Sequence, residues 1–369
     1  MQLTIVTSSL SAGGAERVLS IMANYWASHG HCIHFLTLDA IEGDFYALDP
    51  KIQRHALGLL HGSNSLWGTF KKHFLRLLWI RRIIKESQPD AVICFMDRMN
   101  VATLVATHWL TIPVIISERI DPEWHHIGIF WNILRRLMYP YANILVVQTE
   151  TVRNWAKRYL PDDRITIIPN PLESKQQTHR LNCPIVLPEQ YIVAMGRMVP
   201  QKGFDTLLSA FASLAEDFNH WELIILGDGS ERNRLQQQAK KLGIDHRLHM
   251  PGRISPSDQI LEQAEIFILS SRYEGFPNAL LEAMRAGVAV ISFDCPSGPA
   301  EIIHHGVDGL LVPAQDSQAL TQAITKLIQD RKLRQSLGDR AKDVKERFSL
   351  EKVMRQWQDV IETVSSDKA

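Results

Sequence analysis

Short apolar, β-branched runs recur along this chain with helical stretches between them, and halfway along the pattern starts again. In the first half the runs are Leu3–Thr7, Ile33–Leu38, Ala91–Phe95, Val114–Ser117 and Ile144–Gln148. In the second they are Tyr191–Met195, Glu222–Leu226, Arg247–Met250, Ile266–Leu269, Ala289–Ser292 and Gly309–Val312. A strand that is apolar on both faces needs cover on both, and helices returning between such strands supply it. The pattern therefore predicts an α/β fold built on parallel sheets. A chain of 369 residues also exceeds what one hydrophobic core usually serves. The seam falls between Pro169-Asn170-Pro171 and the polar, glutamine-rich run from Glu173 to Asn182. The expected architecture is two Rossmann-like domains facing a central cleft, residues 1–172 and 173–349. A final amphipathic helix in the segment 350–369 is expected to pack back on the first domain.

Several function classes drop out. Forty basic and forty acidic residues leave no net charge, which argues against a nucleic-acid partner. The cysteines Cys32, Cys94, Cys183 and Cys295 show no C-x-x-C spacing, so a reducing compartment without a structural metal is expected. His125-His126 and His304-His305 are adjacent pairs rather than i, i+4 ligands, and read as structural. The longest uncharged stretch, Val101–Ser117, is split by Pro113 and falls short of a span of about 20 residues. Met1-Gln2-Leu3-Thr4-Ile5 enters a strand without the charged start of a signal peptide, so a cytoplasmic location is expected.

The stretch from Ser270 to Met284, SSRYEGFPNALLEAM, follows a buried strand with a breaker loop and then an apolar stripe at Leu280, Met284 and Val288. That is a strand, a tight loop and a helix start, the place in an α/β sheet where ligands sit. The first helical N–H groups lack intrahelical acceptors and carry partial positive charge, so a phosphate suits them. Glu274 in the loop and Glu282 one turn into the helix would repel a phosphate. Accepting hydrogen bonds from sugar hydroxyls beside it is the task that fits them. For Glu282 the other reading is a first-turn carboxylate that complements the helix dipole.

Two further loops point to the same chemistry. Gly13-Gly14 follows the first strand, and paired glycines there either let backbone N–H groups approach an anion or simply make a tight turn. Arg197 leaves the strand Tyr191–Met195 and Lys202 precedes the next helix, so two cations sit at one sheet edge. Taken singly each reads as a solvated surface charge, whereas together with Glu274, Asn278 and Glu282 at another edge of the same sheet they suit a diphosphate.

The set Gly13-Gly14-Ala15-Glu16, Gly196-Arg197 with Lys202-Gly203, Gly227-Asp228-Gly229, Pro251-Gly252-Arg253 and Glu274-Gly275-Phe276-Pro277-Asn278 with Glu282 resembles family four of the retaining glycosyltransferases, which have the GT-B fold. The likeness runs over nearly the whole chain, and its E-x7-E element is specific. It implies that Glu274 contacts donor-sugar hydroxyls, Glu282 holds the nucleotide ribose, and Arg197 and Lys202 bind the diphosphate. It also implies that Gly275, Phe276, Pro277, Asn278, Ala279 and Leu280 cradle sugar and phosphate, with Gly13 and Gly14, and that Arg253 and Ile254 lie against the base. Arg197, Lys202 and Glu274 are the expected catalytic set. No D-x-D occurs in the chain, in keeping with a leaving group stabilised by protein and with no metal or other cofactor.

On the acceptor side the resemblance implies Glu16, Lys72, Arg76, Glu118 and Arg119. Ile116-Ser117-Glu118-Arg119 matches a segment where many relatives have histidine, and Arg119 fills that place. A fixed cation cannot shuttle a proton as histidine does, so Arg119 has two readings, phosphate binding or an ion pair with Glu118. The segment from Phe70 to Lys85 holds six Lys/Arg and no acid. It reads either as an ordinary exposed helix or as a surface for a membrane or an anionic ligand. It also resembles the basic helix that lipid-linked-oligosaccharide N-acetylgalactosaminyltransferases use on a lipid diphosphate. The run Asp294-Cys295-Pro296-Ser297-Gly298-Pro299-Ala300-Glu301 strengthens the likeness to surface-polysaccharide members. The expected reaction is transfer of a hexose or N-acetylhexosamine from a nucleotide-diphosphate sugar, UDP-linked, to a glycan or polyprenyl-diphosphate-linked acceptor at the inner membrane surface. A nucleotide-sugar 2-epimerase of similar fold is the alternative. A NAD-dependent dehydrogenase would need G-x-G-x-x-G, which neither half contains.

Overall fold

The computed structural model describes residues 1–60, 66–173 and 185–366. Cys183 and residues 174–182 of the expected seam lie outside the described residues, as do the side chains of residues 66–70, including Phe70. Two compact units result, one formed by Met1–Pro171 with Glu351–Ala369, the other by Leu172–Leu350.

In the first unit, seven strands among the described residues form one parallel sheet: β1 (Gln2–Thr7), β2 (Cys32–Thr37), β3 (Gln53–Ala56), β4 (Ala91–Phe95), β5 (Val114–Ser117), β6 (Ile144–Val147) and β7 (Ile165–Ile167). Their order is β3-β2-β1-β4-β5-β6-β7, with Leu3 of β1 in register with Ile33 on one side and Ala91 on the other. The helices that matter below are α1 (Gly14–Ser28), α2 (Leu66–Ser87), α3 (Asp97–Thr107) and α4 (Ile129–Met138). The C-terminal helix, Leu350–Ser366, puts its fully buried Trp357 edge-on to Trp26 of α1 and beside Phe95 of β4.

The second unit repeats the plan. β8 (Tyr191–Met195), β9 (Glu222–Leu226), β10 (Leu248–Gly252), β11 (Ile266–Leu269), β12 (Ala289–Asp294) and β13 (Leu310–Pro313) lie in the order β10-β9-β8-β11-β12-β13, all parallel. Alternate residues of β8 and β9 divide between two cores. Ile192, Ala194, Leu223 and Ile225 enter one, while Tyr191, Val193, Ile224 and Leu226 enter the other. Both faces of the sheet are therefore covered, the requirement that continuous apolar strands impose.

β3 and β7 have no counterpart among the expected strands. β3 reads QRHA, without a buried residue, and β7 has three residues. Both are sheet edges, where one ladder suffices and an apolar run is not needed.

In each sheet the first strand has its successor on one side and a later strand on the other. The switch points lie between β1 and β4 and between β8 and β11, the places where open α/β sheets take ligands outside the carboxyl ends of the strands.

Candidate active site

The loops after β8 and β11 flank the switch point of the second unit and are fastened to each other. The backbone N–H of Arg272 donates to the carbonyl of Gln201 at 2.8 Å, and Gln201 Nε2 donates to the carbonyl of Tyr273 at 2.9 Å. Ser270 Oγ donates to the Lys202 carbonyl at 2.9 Å. Arg272 grips Asp205 with both ends of its guanidinium, at 3.0 and 2.7 Å. Burial would raise the Asp205 pKa, but Arg272 outweighs it and holds the carboxyl below its usual range. Two glycines permit the close approach. A Cβ on Gly203, at φ +61°, would lie 2.1 Å from the Ser270 carbonyl oxygen, and one on Gly227, at φ +131°, would lie 1.9 Å from that of Gly196.

Within this frame Lys202 and Glu274 meet. Lys202 Nζ lies 2.5 Å from Glu274 Oε1, and Ser271 Oγ donates to the same oxygen at 2.6 Å. The carboxylate is buried, and among the described residues no group bonds its other oxygen, Oε2. One oxygen is thus fixed and the other is left to accept from a ligand. Arg197 is exposed just past β8, and no described side chain accepts from its guanidinium. Glu282 is buried on the helix Asn278–Ala286, where Ser257 Oγ donates to Oε2 at 3.3 Å.

Other expected residues are placed differently. Pro277 is the N-cap of that helix, and the Leu280 N–H already donates to the Pro277 carbonyl at 3.1 Å. The side chains of Phe276 and Leu280 belong to the apolar core, so any part they play in a cradle falls to the backbone. Arg253 and Ile254 follow the edge strand β10, Arg253 exposed and Ile254 packed against the core, two strands from β8. Ser271, Gln201, Arg272 and Ser257 had no signal in the sequence. Each acts through a partner distant along the chain, or as a lone serine among many.

The remaining expected residues lie in the first unit. Gly13 is the N-cap of α1 in an extended conformation, with no side-chain cap. The Glu16 carboxylate folds back over Gly13 and accepts from Ser9 Oγ at 3.5 Å, as a first-turn acid complements the dipole. Lys72 is half-buried. Arg76 donates to the carbonyls of Leu59 and Leu60, at 3.0 and 2.9 Å, so its guanidinium holds a loop and is not presented to a lipid head group. Arg81 is similarly engaged with the carbonyls of Ala106 and His108.

Glu118 and Arg119 follow β5 and point to separate environments. Glu118 is buried, accepts from the Tyr139 hydroxyl and lies 3.6 Å from Arg135 Nη2. Burial pushes its pKa up to about 7, with Arg135 opposing. Arg119 is buried with its guanidinium carbon over the Phe95 ring, 4.1 Å from the centroid, and donates to Asn170 Oδ1 at 2.6 Å and Ser117 Oγ at 3.3 Å. Desolvation pulls its pKa down to about 9. Among the described residues no carboxylate pairs with Arg119, so the ion pair with Glu118 falls away as a reading. Among the described residues no three His, Cys, Asp or Glu side chains are grouped to hold a metal ion.

Comparison with known proteins agrees with this layout. The model described as Glycosyltransferase Family 4 matches residues 12–176, and that described as Glycosyl transferases group 1 matches residues 176–344. The chain is 27% identical over 367 residues to the GalNAc-α-(1→4)-GalNAc-α-(1→3)-diNAcBac-PP-undecaprenol α-1,4-N-acetyl-D-galactosaminyltransferase of Campylobacter jejuni, covering 99% of each. It is 25% identical to the amylovoran biosynthesis glycosyltransferase AmsD of Erwinia amylovora, covering 97% of this chain and 99% of the relative. Among solved structures, the lipopolysaccharide outer core galactosyltransferase WaaB is similar with a TM-score of 0.73 at 20% identity, over 98% of this chain and 99% of that one. Anabaena Alr3699/HepE in complex with UDP is similar with a TM-score of 0.75 at 16% identity, over 98% of this chain and all of that one.

Proposed function

Because the chain belongs to the family-four glycosyltransferases of the GT-B fold, we propose that it transfers a hexose or N-acetylhexosamine from a UDP-sugar to a glycan carried on a polyprenyl diphosphate, with retention and without a metal. Glycosyl transfer in surface-polysaccharide or lipid-linked glycan synthesis follows from the family models and the relatives. UDP is supported by neighbours solved with it, and the lipid diphosphate by the undecaprenol-linked substrates in the names of the Campylobacter relatives.

The observation behind the catalytic reading is the buried Glu274 carboxylate held on Oε1 by Lys202 and Ser271. Breaking the anomeric C–O bond builds positive charge on the sugar and negative charge on the departing diphosphate. Lys202 and Arg197 are the cations at this sheet edge that would meet the diphosphate, and preorganised charges act most as the charge develops. Glu274 Oε2 would accept from a sugar hydroxyl and Glu282 from the ribose. Transfer would take place at the cytoplasmic face of the membrane.

The test offers UDP-glucose, UDP-GlcNAc and UDP-GalNAc with a synthetic glycan on polyprenyl diphosphate, and reads the product's anomeric proton coupling. An α-linked product, unaffected by EDTA, is expected. A β-linked product would overturn retention, and loss of activity in EDTA restored by Mg²⁺ would overturn the metal-free mechanism. Conversion of donor alone into its epimer would overturn transfer altogether.

A further inference from the structure

Helix α4 is turned the wrong way round for a surface helix. Its Arg135 is 2% exposed, with Nη2 3.6 Å from Glu118 Oε1 and 3.9 Å from Asp97 Oδ2. The guanidinium also lies 5.6 Å from the Tyr139 ring and 5.2 Å from that of Trp155. The large apolar side chains face outward instead: Ile129 is 81% exposed, Phe130 67%, Ile133 54% and Leu137 59%. Tyr141, 60% exposed just past the helix, continues the four-residue spacing of Ile129, Ile133 and Leu137. Single exposed apolar residues are ordinary, but a stripe of this kind marks a surface that something covers.

Cations border the stripe. Arg136 is exposed on the same face, and no acid occurs between Glu123 and Glu150. α2 is a neighbour, since the His73 ring meets the Trp131 ring of α4 at 6.0 Å. Lys71, Phe74, Leu78, Arg82 and Lys85 of α2 are exposed at spacings of three and four, again apolar side chains among cations. The acids nearest in sequence are already paired, Glu86 with Arg82 and Glu123 with Arg158.

We propose that this face docks on an anionic lipid bilayer. Ile129, Phe130, Ile133 and Leu137 enter the boundary between head groups and acyl chains, and Arg136, Lys71 and Lys85 meet lipid phosphates. Two copies of the chain meeting symmetrically on the same face would set cation against cation, which disfavours that occupant. The inference deepens the proposed lipid-linked acceptor by naming the surface that meets the membrane, and it rests on that reading only for its purpose. Its test needs neither donor nor acceptor.

The full chain is floated with vesicles of phosphatidylglycerol and phosphatidylcholine in equal parts, and with phosphatidylcholine alone. The wild type binds the anionic vesicles, and binding falls with salt. Ile133→Ser with Leu137→Ser lowers partitioning by about tenfold or more, since two apolar side chains no longer leave water on docking. Arg136→Ser lowers binding to the anionic vesicles only. Circular dichroism stays unchanged because the replaced side chains are exposed, and activity on a water-soluble short-chain acceptor also stays. A wild type that ignores anionic vesicles, or a double variant that binds like it, would overturn the proposal. So would a concentration-dependent dimer in sedimentation that the double variant abolishes, which assigns the stripe to a second copy. Because flotation omits the nucleotide sugar, failure of glycosyl transfer and failure of docking are read separately.

Discussion

Lys202→Met tests whether the Lys202–Glu274 pair holds the switch-point loops together as well as serving a ligand. The two side chains are 15% and 7% exposed and 2.5 Å apart, and Ser271 is the other described donor to the carboxylate. Removing one partner of a fully buried ion pair costs about 3–5 kcal/mol, because the other charge remains desolvated. Lys202 keeps some contact with water, so the single change should cost about 2–4 kcal/mol. Glu274→Gln keeps an amide oxygen for Ser271 and leaves Lys202 free to turn toward water, which sets its cost nearer 1–2 kcal/mol, the scale of a hydrogen bond to a charged group. The double variant removes both charges, and its loss should fall short of the sum by about 0.5–3 kcal/mol, the coupling of groups in contact. Urea unfolding of the four proteins measures the cycle, with hydrogen exchange in β8 and β11 confining the readout to this unit. Additivity within about 0.5 kcal/mol would mean that the pair is incidental, and the reading of a preorganised carboxylate would fail.

Other consequences follow from the same geometry. Glu282→Ala should weaken UDP binding in calorimetry, whereas Glu274→Ala should leave UDP affinity nearly unchanged while turnover of the UDP-sugar collapses; equal losses would refute the division of roles. Arg197→Ala should lower kcat/KM by about 100- to 1,000-fold, the effect of losing one preorganised donor, and a change under tenfold would exclude it from the leaving-group site. Gly227→Ala should lower the melting temperature sharply, since its Cβ would meet the Gly196 carbonyl oxygen at 1.9 Å with φ at +131°. Burial raises the Glu118 pKa from its ordinary 4.5 to about 7 in the fold, so it stabilises fully below about 4.5 and that contribution is lost as pH rises through 7. Glu118→Gln should flatten this decline, and an unchanged slope in pH-dependent unfolding would assign the titration elsewhere.

The central strands were legible because buried parallel strands leave a continuous apolar run that little else produces. β1, β4, β5, β8, β9 and β11 all announce themselves in this way, and they place both switch points. β3 escaped because an edge strand buries little, and its residues, QRHA, look like a loop. At the site, Lys202 and Glu274 were legible as residue types at sheet ends, 72 positions apart. That they meet follows from β8 and β11 being neighbours, which the order of strands in sequence does not state. Ser271 was invisible for a simpler reason, since a serine after a strand is common and only the direction of its hydroxyl gives it a role. The cations of α2 were overcounted because composition registers charge and not engagement. Arg76 and Arg81 satisfy backbone carbonyls inside the unit, as long side chains with several donors do.

α4 shows where periodicity misleads in the other direction. IFWNILRRLM has a strong apolar face, and the usual inference turns that face to the core and the arginines to water. What decides otherwise is the carboxylate of Glu118 at the end of β5, with Asp97 near the end of β4, both buried. A buried carboxylate needs a cation more than a core needs another leucine, because uncompensated charge in low dielectric is the larger penalty. Arg135 answers it and fixes the rotation of the helix, and at 100° per residue Ile129, Ile133 and Leu137 must then point out. The exposed stripe is thus a consequence of the ionic cluster beneath it. Removing the cation, as Arg135→Met does, should loosen α4 and reduce binding to anionic vesicles even though no residue of the stripe is touched, because Glu118 and Asp97 then stay buried without their partner. Vesicle flotation of that variant, with circular dichroism on the same sample, separates this from the proposal for the stripe alone. Binding equal to wild type would show that α4 keeps its rotation without the Arg135 charge.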